Sequence, residues 1–240
     1  DHRDIHSFPT RRSSDLGKIL KKIILESKAD KGTTSVVKQI KKGINELLSD
    51  EGFKIQGIGI GAPGIVSLKK GTVEHPPNFP GWGIIHLGNI IKKEFGIKTF
   101  VENDANAAAI GELMFGMGKY LISFVMITLG TGVGGGIILN KKIYRGEFGA
   151  AGEIGHISID VNGAKCNCGS YGCIEAYAGN NYLINRVKNK LNDNPESKLF
   201  ELFAKNSEPL TPKIISEAAE KGDKFAISII EELLEAANNA

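Results

Sequence analysis

The stretch LISFVMITLGTGVGGGIILNKKIYRG, residues 121–146, decides which fold the sequence predicts. It contains G-x-G-x-x-G at Gly130, Gly132 and Gly135, a spacing typical of dinucleotide-binding sites. That motif requires a helix to begin at the glycines, so that the helix amides face a pyrophosphate. Here IILNKKIY comes next and predicts a strand. The sequence therefore predicts an antiparallel meander in place of a Rossmann unit.

A glycine-rich turn between two strands can still bind phosphate. Successive backbone N–H groups form an anion-binding concavity, and threonine hydroxyls add donors. On local evidence a tight hairpin, in which the glycines only supply positive φ, remains equally open. The candidate phosphate-binding residues are Thr128, Gly130, Thr131, Gly132 and Gly134.

Outward from this stretch, the N-terminal half alternates strands with amphipathic helices, which predicts an α/β domain. Thr33 or Thr34 is predicted to cap the first helix, and Gly116 and Gly118 to mark a domain junction. The predicted domains are 17–116 and 117–240. Strands are predicted at 17–27, 55–64 and 98–102, and helices at 33–49, 86–95, 105–115, 173–190, 196–205, 212–221 and 222–240.

The first sixteen residues, DHRDIHSFPTRRSSDL, look foreign to the rest of the chain. They lack apolar periodicity and predict a disordered tail. The string is also similar to the translated read-through of a sequencing adapter, the alternative being a flexible basic arm. We exclude it from the fold prediction.

Composition and charge exclude several classes of protein. The 240 residues carry a formal charge of only +3, and the lysines are scattered, so nucleic acid is not indicated as a partner. No apolar run reaches the roughly 18 residues that a membrane span needs, and the N-terminus has no signal-peptide core. We expect a cytoplasmic protein.

The most specific local signal is a cluster of metal ligands. Cys166, Cys168 and Cys173 fall within eight positions, which is too close for a disulfide framework, and His156 precedes them. Three thiols and one imidazole are the ligand set of a closed, structural Zn²⁺ site. The alternative is three buried free thiols near an unrelated histidine.

Polar residues in two other places could form a substrate site. Asn103 and Asp104 follow a short predicted strand, at a sheet edge where ligands gather, although Asp104 could also be only a helix cap. Glu153, His156 and Glu175 bracket the cysteine loop and offer donors and acceptors suited to sugar hydroxyls.

Five motifs in order, GIGAPG, ENDANAAA, TLGTGVGGG, GEIGH and CNCGSYGCIEA, closely resemble the ROK family of sugar kinases and transcriptional repressors. The resemblance runs from about Gly17 to Ala240. It implies the actin-like ATPase (ribonuclease H-like) fold, with two α/β domains around a cleft. It also implies transfer of a phosphoryl group from ATP to a hexose, with Mg²⁺ as cofactor. The implied structural metal is Zn²⁺, and the implied assembly is a homodimer or homotetramer.

The same resemblance assigns roles to residues. Asp104 becomes the base that takes the proton from the sugar hydroxyl, and His156 serves both the zinc ion and the sugar. The implied sugar contacts are Gly64, Asn78 in NFPGW, Asn103, Glu153, His156 and Glu175.

The sequence also departs from the family. The D-x-G-G-T phosphate loop with which the family begins is absent, and so is a glycine-rich adenosine segment beyond residue 240. We expect both ends to be missing, the last helix to be cut, and the 240-residue chain to be a poor kinase although its native gene encodes an active one.

Glucose is the predicted sugar. A sugar-sensing repressor of the same family, or a kinase for N-acetylmannosamine, N-acetylglucosamine or fructose, stays open because such substrates differ by few pocket contacts.

Overall fold

The computed structural model describes residues 4–6, 19–49, 55–76, 79, 81–205 and 210–238. Its contacts divide the chain into two compact units. The first comprises Asp1–Met126 and Gly136–Gly152, and the second comprises Ile127–Gly135 and Glu153–Ala240. The division therefore differs from the junction predicted at Gly116 and Gly118. There the chain continues within the first unit, because Gly116 N donates to Glu112 O and closes a helix.

The first unit is built around a pair of parallel strands. Ile60 of one strand lies opposite Val101 of the other, and both strands lie among helices and a small antiparallel sheet. Side chains that are almost fully buried, such as Ile91 and Val73, fill the core between them. The strands are β1 Asp4–His6, β2 Ile24–Glu26, β3 Ile58–Ala62, β4 Ile65–Ser67, β5 Thr72–Glu74, β6 Ile84–Ile85 and β7 Thr99–Asn103, and the helices are α1 Thr33–Leu48, α2 Leu87–Phe95 and α3 Asp104–Phe115.

Two local predictions in this unit need correction. Neither Thr33 nor Thr34 caps α1. The helix begins after Gly32, whose φ of 81° turns the chain and whose carbonyl accepts from Ser35 N and Val36 N. Of the strand predicted at 17–27, residues 17–18 lie outside the described residues, and within 19–27 only Ile24–Glu26 forms a strand, β2.

The tail predicted to be disordered has one described segment. Residues 4–6 form β1, which pairs antiparallel with β2, so disorder is wrong for these three residues. The rest of the first sixteen lie outside the described residues, and their foreign origin stays a prediction.

The predicted meander is present as a three-stranded sheet. Its strands are β8 Phe124–Leu129, β9 Val133–Leu139 and β10 Lys142–Tyr144, in the order β10-β9-β8. Asn140 and Lys141 both have positive φ, 50° and 57°. This is the left-handed pair that a two-residue hairpin turn requires.

The second unit consists of a metal-ligand loop followed by helices. Buried Val187, Leu199, Ile215 and Ile229 form its core. The helix predicted at 173–190 is interrupted at Gly179, which is extended. The helices are α4 Ile174–Ala178, α5 Asn180–Leu191, α6 Lys198–Phe200, the π-helical turn Glu201–Lys205, α7 Pro212–Glu220 and α8 Lys224–Asn238.

One buried carboxylate joins two helix starts in this unit. Asp223 Oδ1 accepts from Ala226 N in the first turn of α8, and its Oδ2 accepts from Lys198 N in the first turn of α6. The hydroxyl of Ser197 also donates to Asp223 Oδ2, at 2.9 Å. Asp223 therefore satisfies donors that helix formation leaves without partners.

Among the helices that the structure describes, none is long and apolar enough to cross a membrane.

Candidate functional site

The end of β7 presents an acidic side chain at the start of α3. Asn103 is the N-cap, because its Oδ1 accepts from Asn106 N at 3.1 Å. Asp104 is therefore not needed as a cap. It is the first residue of the helix and is exposed, with Oδ1 accepting only a local bond from Ala105 N among the hydrogen bonds described. The capping reading of Asp104 is wrong, and its carboxylate faces solvent.

The structure places Gly64 beside this helix start. Asn103 Nδ2 donates to Gly64 O at 3.2 Å. Gly64 has a φ of 83°, and a Cβ there would come within 2.8 Å of Pro76 Cα, so the position requires glycine. The structure therefore brings Gly64, Asn103 and Asp104 together, whereas the predicted contact Asn78 lies outside the described residues.

A partly buried ion pair involves Glu102, the residue two positions before Asp104. Glu102 Oε2 accepts from Arg145 Nη2 at 2.6 Å and from Arg145 Nε at 3.0 Å. Its other oxygen accepts from Asn103 N at 3.0 Å. The sequence prediction missed this pair, although both residues lie in motifs that it singled out, ENDANAAA and KIYRG.

The four predicted metal ligands come together in the second unit. The ligand atoms of His156, Cys166, Cys168 and Cys173 all lie within 4.8 Å of one another. Cys168 Sγ is 3.6 Å from Cys173 Sγ, and Cys166 Sγ is 3.7 Å from His156 Nδ1. With Zn–S bonds of about 2.3 Å and Zn–N bonds of about 2.0–2.1 Å, a tetrahedral ion separates its ligands by similar distances. The donor set fits Zn²⁺.

The protonation of the thiols also matters for metal binding. Burial, reinforced by the neighbouring thiols of Cys168 and Cys166, raises the pKa of Cys173 to about 12. The backbone amide of Ser170 lowers the pKa of Cys168. Burial raises the pKa of Tyr182 to about 12, so its hydroxyl stays protonated and donates to Cys166 Sγ at 3.7 Å. A bound cation must displace the proton of Cys173.

The imidazole of His156 has two distinct neighbours. Its Nδ1 faces the thiols, while Nε2 lies 3.9 Å from Glu153 Oε2. A metal on Nδ1 leaves Nε2 directed at the Glu153 side, and Glu153 is exposed. This geometry lets one histidine serve a metal and a second ligand at the same time.

Glu175 contacts both the strand after the glycine turn and the cysteine loop. Its Oε2 accepts from Val133 N at 2.9 Å, and a Cβ at Gly132 would overlap that carboxylate. Its Oε1 lies 4.0 Å from Cys166 Sγ. In this structure Glu175 therefore links the cysteine loop to the glycine turn, and its role as a sugar contact stays a prediction.

The glycine turn, residues 130–132, is a tight connection between β8 and β9. Gly130 N donates to Gly132 O, so this predicted phosphate donor is engaged within the turn. Gly130 O in turn accepts from Asn180 N, at the start of α5. Of the other predicted donors, Thr131 is exposed, while Thr128, Gly132 and Gly134 are half-buried. Thr128 lies before the turn, Gly132 within it, and Gly134 in β9.

Comparison with known proteins identifies relatives over almost the whole chain. The sequence profile of the ROK family matches residues 16–240. A glucokinase of Thermotoga maritima is 35% identical over 96% of this chain and 72% of its own length. A xylose repressor of Caldicellulosiruptor bescii is 35% identical over 75% of this chain and 45% of its own length. The chain thus spans 72% of the length of this glucokinase and 45% of the length of this repressor.

Among solved structures, the crystal structure of a ROK family glucokinase from Streptomyces griseus, in complex with glucose and AMPPNP, superposes with a TM-score of 0.80. The sequence identity is 37%, and the match covers 93% of this chain and 70% of the other. The predicted α/β fold class of actin-like ATPases is confirmed.

Proposed function

This chain belongs to the ROK family, and on that premise we propose that it transfers the γ-phosphoryl group of ATP to the primary hydroxyl of glucose. The observation that carries the proposal is the state of Asp104. Its carboxylate is exposed at the start of α3 and is released from capping by Asn103. A carboxylate held on a rigid element in this way is suited to accept the proton of an attacking hydroxyl.

Phosphoryl transfer asks for positioning more than for a strong base. Because the transition state is loose, alignment of the hydroxyl with the γ-phosphate and neutralisation of charge supply most of the rate. Asp104 orients and deprotonates the hydroxyl. Mg²⁺ bound with ATP supplies the neutralising charge.

The remaining polar residues are assigned to the sugar. Amide, carboxylate and imidazole groups match the donors and acceptors of ring hydroxyls. Gly64 shapes the backbone that Asn103 holds. The proposed contacts are Gly64, Asn78, Asn103, Glu153, His156 and Glu175.

The glycine turn is assigned to the phosphates of ATP. Its Thr131 is exposed, and nothing lies within 4 Å of the position that a Cβ of Gly130 would take, which leaves room there for close approach of a phosphate. The proposed contacts are Thr128, Gly130, Thr131, Gly132 and Gly134.

A structural Zn²⁺ is assigned to His156, Cys166, Cys168 and Cys173, whose mutual distances support it. When bound, the ion fixes the loop and the imidazole plane, and four protein ligands leave no position for a catalytic water. A cytoplasmic location, a role in carbohydrate metabolism and glycolysis, and a dimeric or tetrameric assembly belong to the same proposal.

The test is turnover with ATP and Mg²⁺ over a panel of hexoses and N-acetylhexosamines, measured on the full-length product of the native gene because the 240 residues alone are expected to be a poor kinase, with Asp104→Asn as the variant. This variant keeps the size of the side chain and removes the base, so kcat should fall by roughly 10²- to 10⁴-fold while sugar affinity changes little. Asp193→Asn is the matched control, since Asp193 is exposed and is not one of the proposed sugar, nucleotide or metal contacts.

The outcomes separate the candidate functions. Turnover on one sugar names the substrate, which decides between glucose and N-acetylmannosamine, N-acetylglucosamine or fructose. Sugar binding without turnover on any substrate would favour a sugar-sensing repressor, the function named for the relative from C. bescii. An Asp104→Asn protein with unchanged kcat would remove Asp104 from the reaction.

A further inference from the structure

We propose that Glu102 and Arg145 form a positioning pair that holds Asp104 and Asn103 in their working orientation, an inference that rests on the proposed kinase function. Neither residue is assigned to sugar, nucleotide or metal. Both lie in the first unit, and their side chains are 14% and 30% exposed. A charge pair this far removed from water needs a reason beyond surface solubility.

The geometry of the pair is specific. One carboxylate oxygen of Glu102, Oε2, receives two guanidinium N–H groups of Arg145, at 2.6 and 3.0 Å. The other oxygen, Oε1, receives Asn103 N at 3.0 Å and Asn106 Nδ2 at 3.4 Å. Charge-assisted bonds of this kind are about twice as strong as neutral ones. The guanidinium thus fixes one oxygen and leaves the second directed at the backbone of α3.

The residues that Glu102 holds are the neighbours of Asp104. Asn103 precedes Asp104, and buried Asn106 follows two positions later. These two neighbours are also joined to each other, because Asn106 N donates to Asn103 Oδ1. Asp104 therefore lies on a short segment whose residues on both sides are held by Glu102, and neither Glu102 nor Arg145 is among the proposed substrate contacts.

The partner residue, Arg145, arrives from a distant part of the chain. It directly follows β10, and its carbonyl accepts from Ala151 N, which closes the loop between them. Arginine suits this position because its planar fork delivers two parallel donors to one carboxylate, whereas lysine supplies a point charge. The pair ties the end of β7 to the end of β10 within one unit.

The pair also sets the charge beside the base. Glu102 is two positions before Asp104, so without Arg145 a second, uncompensated carboxylate would lie buried behind the first. Burying an unpaired charge is costly, and the segment would shift to relieve it. A displacement of about 1 Å at a reacting group can cost on the order of 10²-fold in rate.

The experiment compares four variants of the chain: Arg145→Met, Arg145→Lys, Glu102→Gln, and the double variant Glu102→Gln/Arg145→Met. Lys41→Met is the matched control, because it removes another ion pair of the first unit, Lys41 with Glu94. For each protein, kcat, the KM for glucose and the urea midpoint are measured. Hydrogen–deuterium exchange of the backbone amides of Ala105 and Asn106 is followed by NMR.

We expect Arg145→Met to lower kcat by roughly 10- to 100-fold, Arg145→Lys to recover part of the loss, and Lys41→Met to stay within twofold of the original chain. The double variant is the decisive one. Since it leaves no orphan buried charge, its urea midpoint should return toward that of the original chain, while kcat stays low because the clamp on Asp104 is gone.

A purely structural pair would give a different result. In that case kcat of the double variant would recover together with its urea midpoint, and this outcome, or an unchanged kcat in Arg145→Met, overturns the proposal. If the original chain shows no turnover, as is expected of these 240 residues alone, the kinase proposal is tested separately on the full-length protein, and amide exchange decides whether the pair holds the segment. Exchange that accelerates tenfold or more in Arg145→Met, but not in Lys41→Met, supports the clamp, and unchanged exchange overturns it.

Discussion

Replacing Asp223 by alanine should destabilise the second unit strongly, because one carboxylate serves two helices. In Asp223→Ala the amides of Ala226 and Lys198 lose their acceptor, and the hydroxyl of Ser197 loses its partner. Asp223 and Ser197 are 8% and 5% exposed, so water replaces these bonds poorly.

The size of the effect can be worked out from these contacts. Loss of a helix cap costs about 0.5–2 kcal/mol, typically ~1, and a buried donor left without a partner costs about 1–3 kcal/mol. Two caps at ~1 kcal/mol each and one buried hydroxyl at about 1–3 kcal/mol together give a loss of about 3–5 kcal/mol in the free energy of unfolding. Asp223→Asn, which keeps one carbonyl oxygen, should lose roughly half as much.

The assay is urea unfolding of the two variants, with two probes. Far-UV circular dichroism reports the helices, while fluorescence of Trp82, the sequence's single tryptophan, reports the first unit, in whose core it is buried. Asp193→Ala is the control, since Asp193 is exposed. If Asp223→Ala unfolds within about 0.5 kcal/mol of the original chain, the double-capping explanation is refuted.

Four further outcomes are expected, three from the loop of candidate metal ligands and one from a close contact in the first unit. Cys173→Ser should lower the zinc-to-protein ratio measured by atomic absorption, and it should lower the melting temperature of the zinc-loaded protein without a comparable effect after chelation. Zinc retention should fall on acidification, because protons compete for the thiolates; retention unchanged at low pH would contradict thiolate ligation. Gly172→Ala should also lose zinc, because φ is 71° there and a Cβ would overlap Asp160 O, so a variant with normal zinc content would argue against this packing. Gly136→Ala should lower the free energy of unfolding, measured in urea, by about 1–3 kcal/mol, since its Cβ would lie 2.5 Å from that of Ala109. An unchanged urea midpoint would count against this close contact.

The sequence predicted the features that depend on local patterns. Most helices of both units were predicted because apolar residues recur at helical spacing, and the group of candidate metal ligands was predicted because three thiols lie close together in the chain. The helix predicted at 173–190 was wrong at Gly179, because the backbone there is extended, with ψ of 137°, and its N–H closes α4 on Glu175 O; apolar periodicity does not show such a break.

The sequence could not predict partners that are distant along the chain. Asn103 and Asp104 are both good capping residues, and only the backbone shows that Asn103 caps and Asp104 does not. The Glu102–Arg145 pair joins residues 43 positions apart, and the identity of neither residue indicates which partner it binds. Likewise, nothing in the sequence around Glu175 shows that its carboxylate accepts a hydrogen bond from Val133 N.

The bond between Glu175 and Val133 has a consequence for anyone who transplants the glycine turn. The turn itself contains almost no side chain that could specify its shape, and a carboxylate 42 residues downstream contacts it instead. Asn180 adds a second contact from the start of α5. A chimera that carries residues 128–136 alone would therefore have the sequence of the turn without its conformation, whereas one that also carries residues 153–181 would have both.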